Sequence, residues 1–312
     1  MAGIKAEIKN ALGAFVSLHQ KDLLEQLMQK HETLVHLRTI MSEAQKDNMV
    51  GIPSSHLSDV VQGYQKAFTP MGELTTYAET TIQRRHKIDL LVNPDDIVGE
   101  WEGFLYDEKK TRAEMPLVKY ILGKLLEKIQ DEKERLMVYS GVYTAPVANT
   151  PNPANKSVTG FEKILADAAV AGKFDPFIMG AYTADQTFEY IEQFLTELPA
   201  LYRFRKLKLY MSEDVKLDYQ RDKRNTFKYF ENLGNLLKID FSNMEIAALP
   251  SMAGKKKIIA TVPGNLVRVI HKNQSADNLA VQEDVRDVKI FGDWHECYGV
   301  ADYRYLRTND QV

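Results

Sequence analysis

Three short stretches carry residue types that do chemistry elsewhere, and the spacing of each decides what it can do here. His31-Glu32-Thr33-Leu34-Val35-His36 has the histidines and glutamate of a zinc-protease helix, but one residue too many lies between the histidines. Five positions apart on a helix they diverge by about 140°, so they cannot share an ion as an i, i+4 pair does. His295-Glu296-Cys297 has the side chains of a deaminase zinc site, yet Cys297 is the single cysteine of the chain and no second cysteine pair exists. Flanked by Tyr298 and Val300, Cys297 is expected to be a packed, inert thiol in a strand. Gly254-Lys255-Lys256-Lys257 lacks both the upstream glycine and the Ser/Thr of a phosphate loop, and reads as a solvated turn.

The remaining catalytic patterns are absent. No serine stands in a G-x-S-x-G elbow, and no G-x-G-x-x-G follows a strand. Asp95-Asp96 and Glu283-Asp284 fit helix capping and turns better than acid/base work. Arg84 to Lys87 and Arg203 to Lys208 are basic, but no aromatic platforms interleave them. Salt bridges or solvation explain them, with nucleic-acid contact as the alternative. With no cluster of titratable residues at a useful spacing, the chain is expected to be neither an enzyme nor a cofactor or metal binder.

The bulk properties set further bounds. The 312 residues are 44% hydrophobic and 27% charged, with a net charge of -3, as in a folded water-soluble protein able to bury a sizeable core. The charge exerts no general pull on nucleic acid. No run of ~18 apolar residues is present, so no membrane partner is expected. The start, MAGIKAEIKN, has no apolar segment of the signal-peptide kind. A single cysteine rules out an intramolecular disulfide framework.

The elements can be ordered around Pro116 to Val138. Val118, Ile121, Leu122, Leu125, Leu126, Ile129 and Leu136 keep to one side of a 3.6-residue period, which predicts a helix about 35 Å long. Pro116 suits its first turn and Gly141 its end. Before this spine, residues 1 to 47 predict helix. Ile4, Ile8, Ala11, Leu12, Phe15 and Val16 form a stripe that Leu23, Leu24, Leu27, Met28, Leu34 and Leu37 continue. Met49 to Pro53 is expected to break it, with Ser54 or Ser55 capping a short helix through Tyr64. Gly72 to Tyr77 and Lys87 to Val92 read as two strands of one protruding hairpin. Asn93-Pro94-Asp95-Asp96 starts a helix through Leu105.

After the spine, the Pro/Asn-rich stretch Tyr143 to Val158 reads as a loop or boundary. Thr159 with Glu162, and Thr183 with Gln186, form two capping boxes for helices ended by Gly172 and Pro199. Lys208 to Met211 predicts a strand, and Ser212 caps a helix through Phe230. The last third is strand-rich: Met244 to Leu249, Lys257 to Val262, Leu266 to His271, Leu279 to Gln282 and Val288 to Tyr305, with turns at Pro250, Gly254, Pro263-Gly264 and Asn273.

This order resembles the major capsid proteins of tailed phages with the Hong Kong 97-type fold. Four stretches carry the likeness: KIDLLVNPDDIVGEWEGFL (Lys87 to Leu105), KLKLYMSEDVKLDYQ (Lys206 to Gln220), MEIAALPSMAGKKKIIATVPGNLVRVIHK (Met244 to Lys272) and DVKIFGDWHECYGVADYRYLR (Asp287 to Arg307). In pattern and order it spans about residues 60 to 308. The resemblance implies an α+β fold in five parts: an N-terminal helical arm (1–66), an extended hairpin loop (67–93), a peripheral domain with the spine helix (94–145), an axial α/β domain (146–240), and strands completing both domains (241–312). It implies inter-subunit contacts on the hairpin at Glu73, Tyr77, Arg84, Arg85 and Lys87. The spine core would be Val118, Leu122, Leu125 and Ile129.

Assembly is then the implied function: hexamers and pentamers of one chain closing an icosahedral shell around phage double-stranded DNA, in a virion built in the host bacterial cytoplasm. The implied partners are copies of itself, DNA held without sequence specificity, and scaffold, portal and decoration proteins. A mildly acidic subunit suits a DNA container, because a strongly basic lining would hold the genome too tightly. The alternatives are an encapsulin-like shell around cargo enzymes and another head or tail structural protein.

Overall fold

The long spine helix is present, and its apolar face decides how the surrounding elements lie. The computed structural model describes residues 32–44, 47–109, 117–199, 206–227, 239, 244–272, 279–283 and 287–311. In chain order the elements are α1 (Glu32–Val35), β1 (Arg38–Ser42), β2 (Met49–Leu57), β3 (Leu74–Ile82), β4 (Arg84–Val92), α2 (Pro94–Asp107) and α3 (Leu117–Glu132). They continue with α4 (Phe161–Val170), α5 (Thr187–Glu197), β5 (Lys208–Met211), α6 (Glu213–Phe227), β6 (Glu245–Ala248), β7 (Ile259–Thr261), β8 (Leu266–His271), β9 (Leu279–Glu283), β10 (Val288–Val300) and β11 (Leu306–Thr308).

Helix α3 is extended through Lys133–Met137 by a π-helical turn, in which the Val138 N–H donates to the Lys133 carbonyl at 3.1 Å. The widened turn rotates Lys133 and Glu134 inward, and both are buried. The chain then passes Gly141, where a Cβ would stand 2.7 Å from both the Met137 and Val158 carbonyls. Gly160 N–H donates to the Gly141 carbonyl at 2.8 Å, so two glycines let two backbones touch behind the spine. Gly160, not Thr159, is the N-cap of α4, and no side chain caps that helix.

Strand β10 organises the larger sheet. Its residues 288–296 pair antiparallel with β4 along one edge. Along the other edge it pairs first with β9 and then, from Glu296 onward, with β8. Strand β1 adds in parallel to β8. A second sheet has the order β11-β7-β5-β6, in which only β5 and β6 run parallel.

Three apolar clusters follow. Leu122, Leu126 and Ile129 of α3 pack with Trp101 and Leu105 of α2 against Val288, Ile290 and Trp294 of β10. Phe188, Ile191 and Phe194 of α5 with Val215 and Tyr219 of α6 cover Leu209, Met211 and Ala260. Phe161 and Leu165 of α4 join Val50, Ile52, Tyr298 and Val300 in a third cluster beneath β2 and the end of β10.

Two expectations are corrected. Residues 38–42 are a strand, not helix, and residues 49–57 are one continuous strand, not a break followed by a short helix from Ser54 or Ser55. The ribbon pairs β2 with β3, from Met49↔Ile82 to Leu57↔Leu74. Strand β4 instead belongs to the five-stranded sheet. A period of two marks a strand but carries nothing about its partner, and Gly51 and Pro53 look like breakers although an edge strand accepts both. The helical stripe from Ile4 to Met28 lies outside the described residues.

Candidate assembly surface

The β2–β3 ribbon has a wet end and a dry end. At the dry end Val50 and Ile52 are buried in the core. Ile52 sits where a side chain on Gly299 of β10 would be, since a Cβ there would overlap its Cδ1. From Pro53 outward little of β2 is covered. The tip, residues 58–73, is closed by its own hydrogen bonds: the Ser58 N–H donates to the Glu73 carbonyl at 3.1 Å, the Glu73 N–H to Ser58 Oγ at 2.7 Å, and Gln62 Nε2 to the Thr69 carbonyl at 2.7 Å. Gly72 takes φ +91° there, and a Cβ on it would stand 2.5 Å from Val60 Cγ1.

The tip is apolar and uncovered. Val61 is 87% exposed, Tyr64 96% and Phe68 95%, with Leu57, Val60, Met71 and Leu74 also exposed. Isolated exposed apolar residues are ordinary, but seven between positions 57 and 74 of one ribbon are what an interaction surface presents.

The basic residues expected on the hairpin lie elsewhere. Glu73 is exposed at the tip base, and Tyr77 is half-exposed on β3. Arg84, Arg85 and Lys87 are on β4, in the larger sheet. Arg84 is ion-paired with Asp47, and its Cζ stands 3.5 Å from the Tyr143 ring centroid. Arg85 is ion-paired with Asp293 across the β4–β10 ladder, and Lys87 with Asp89. Of the spine positions, Leu122 and Ile129 are buried and Leu125 is partly buried against them. The structure does not describe the Val118 side chain.

An interior charge cluster escaped the sequence reading. Glu296 is fully buried and accepts four hydrogen bonds on its carboxylate: from Arg268 Nε at 2.6 Å, Tyr298 O–H at 2.9 Å, Trp294 Nε1 at 3.1 Å and Lys133 Nζ at 3.1 Å. Burial works against its charge, but Arg268 and Lys133 outweigh that and hold its carboxyl well below the usual range. His86 Nε2 donates to the Glu296 carbonyl at 3.2 Å, and burial brings its pKa down to about 4. Alternation along β10 was the available signal: Ile290, Trp294 and Glu296 share the inward parity, but only the fold shows the cations they meet.

Cys297 and the Gly254 turn are held by their own neighbours. Cys297 is buried, its Sγ–H donates to Gln83 Oε1 at 3.2 Å, and burial pushes its thiol up to about 12. The Gly254 N–H donates to Asp214 Oδ2 at 3.3 Å, and Lys255 is ion-paired with Glu162 at 2.6 Å, as in a solvated turn. Among the described residues no three His, Cys, Asp or Glu converge as metal ligands, and no helix is long and apolar enough to cross a membrane. His31 lies outside the described residues.

No family model and no curated protein matches the sequence. The fold, however, is similar to chains of known structure. A chain of the satellite phage P4 procapsid that includes the size determination (Sid) protein aligns with TM-score 0.57 over 93% of this chain and 98% of its own, at 10% identity. The fold is that of a tailed-phage capsid protein. The virus-like particle of Pyrococcus furiosus aligns at TM-score 0.45 and 11% identity, covering 92% of this chain and 96% of its own. The capsid of Myoviridae phage XM1 aligns at 0.46 and 9%, covering 90% and 92%. At 10% identity the P4 likeness establishes the capsid fold and nothing finer.

Proposed function

We propose that this chain is the major capsid subunit of a tailed phage, assembling as hexamers and pentamers into an icosahedral shell that encloses double-stranded DNA. The observation that carries the reading is the ribbon tip: Val61, Tyr64 and Phe68 stand in water, and none of the described residues covers them. In a capsid fold the covering surface is supplied by another copy. Each such contact is modest, but it repeats around closed rings, so many weak contacts sum to a durable shell. The peripheral domain in this reading is the spine with the β10 sheet, and the axial domain holds α5, α6 and the β5 sheet.

The test removes residues 58–73 and joins Leu57 to Leu74 by Asn-Gly, a turn that suits a two-residue hairpin. Leu57 and Leu74 are already partners, so the ribbon stays paired. The expected result is a soluble, folded subunit that forms no closed shells in negative-stain microscopy, where the full chain does. Shells of normal size from the deletion overturn the interlocking role. The contents of wild-type particles separate the alternatives: nuclease-protected DNA supports the phage head, co-purifying enzymes an encapsulin-like compartment, and open rings or tubes a tail or head-completion protein.

A further inference from the structure

One face of the ribbon is fastened to the body at three successive points, and the fastenings differ in kind. Residues 77, 79 and 81 of β3 alternate onto the face that also carries their partners Ser54, Ile52 and Val50. Innermost, Thr81 Oγ1 donates to the Tyr298 carbonyl at 2.8 Å, beside buried Val50. Next, Glu79 is ion-paired with Lys173, whose Nζ also stands 5.0 Å from the Tyr303 ring centroid. Outermost, the Tyr77 ring lies under Arg304, 4.7 Å from its Cζ, and Arg304 is itself held by Asp302 through contacts of 2.6 to 3.1 Å.

We propose that Tyr77 and Glu79 form a releasable latch, and Thr81 with Ile52 a fixed hinge, so that the latch sets the angle at which the ribbon tip is delivered to the next subunit. This rests on the shell reading above and assigns its regulation. The physical basis is the gradient in burial. Lys173 and Glu79 retain 42% and 28% of their side-chain exposure, and Arg304 retains 39%. Such contacts are worth little each and are screened by salt. The hinge, by contrast, is packed: Ile52 is 1% exposed and lies on Gly299. The ribbon therefore opens from its outer end and stops at Thr81. In the latched state the tip direction is single-valued; released, it samples a range of angles about the hinge.

The test uses the unassembled full chain and amide hydrogen exchange read by mass spectrometry. Glu79→Lys places two cations together, and the expected result is roughly three- to tenfold faster exchange in residues 52–57 and 74–79, with the β10 sheet unchanged. The charge swap, Glu79→Lys with Lys173→Glu, restores most of the protection. Raising the salt to about 1 M, where screening extends only ~3 Å, loosens the wild-type outer ribbon but not Thr81. Unchanged exchange in Glu79→Lys, or a swap that fails to restore protection, overturns the latch. Microscopy adds a separate readout: particles from Glu79→Lys are expected to spread in diameter, and the swap to narrow them again. If the wild type forms no shells, the shell reading fails while the exchange data still decide the latch.

Discussion

Lys133 Nζ and Glu296 Oε2 stand 3.1 Å apart with both side chains withdrawn from water, joining the end of the spine helix to the middle of β10. Arg268 shares the same carboxylate, so one buried anion serves two cations. Lys133 also lies 4.8 Å from the Trp294 ring centroid, which shields it further. The pair binds two elements that the apolar clusters alone would allow to slide.

The charge count makes the consequences of mutation unequal. Glu296→Gln removes the carboxylate charge that Lys133 and Arg268 share, and should cost about 3–5 kcal/mol. Lys133→Met leaves a neutral Glu296–Arg268 pair and fills the space with an apolar chain, so it should cost less than half as much. Urea unfolding of the two variants checks the order. Equal losses would mean that the two cations do not share one anion.

Acid should weaken the fold through His86. In the native state its pKa is about 4, against 6.5 for an unperturbed histidine, because burial opposes the charged form. Its Nδ1 is buried with no hydrogen-bond partner, and its surroundings include Glu296, Lys133 and His295. Between these values the unfolded chain binds a proton that the native chain refuses. Stability is therefore full above pH 6.5 and declines toward pH 4, by about 3 kcal/mol in all. His86→Phe lowers stability at pH 7 but should flatten the slope between pH 6.5 and 5, measured as urea midpoints.

Gly299 and Ile52 should behave as a coupled pair. Gly299→Ala puts a methyl onto Ile52 Cδ1, at a cost of about 1–3 kcal/mol from overpacking. Ile52→Val deletes the offending carbon and costs about 1 kcal/mol alone. Together they should be milder than their sum, with a coupling of about 1 kcal/mol in a double-mutant cycle. Additive losses would show that the two residues do not meet.

Gly160 is less forgiving. A Cβ there would stand 2.7 Å from the Tyr139 carbonyl carbon and 2.8 Å from the Gly141 amide nitrogen, both backbone. No side chain can turn aside to make room. Gly160→Ala should exceed the cost of Gly299→Ala and leave most of the expressed subunit insoluble, which fractionation of cell lysates checks. A soluble Gly160→Ala with an unchanged urea midpoint would refute the close approach behind the spine.

Periodicity alone determined the spine, because Leu122, Leu126 and Ile129 recur at the helical repeat whatever they pack against. Local composition likewise located β5, β8 and β10, and the order of elements was enough to suggest a capsid fold. What it could not supply was pairing. Arg84 to Val92 reads as a strand from its own residues, but its place beside β10 depends on residues about two hundred positions later. The ribbon pairs β3 with β2 and not with the adjacent β4 for that reason, and Pro53, a breaker in isolation, is tolerated on an edge. The lone cysteine already excluded a zinc site at His295-Glu296-Cys297, but that Glu296 meets Lys133 and Arg268 from distant segments is visible only in the fold. Helical and strand signals are short-range and written in neighbouring residues; partners, burial and the direction of a projecting ribbon are long-range, and only the folded chain decides them.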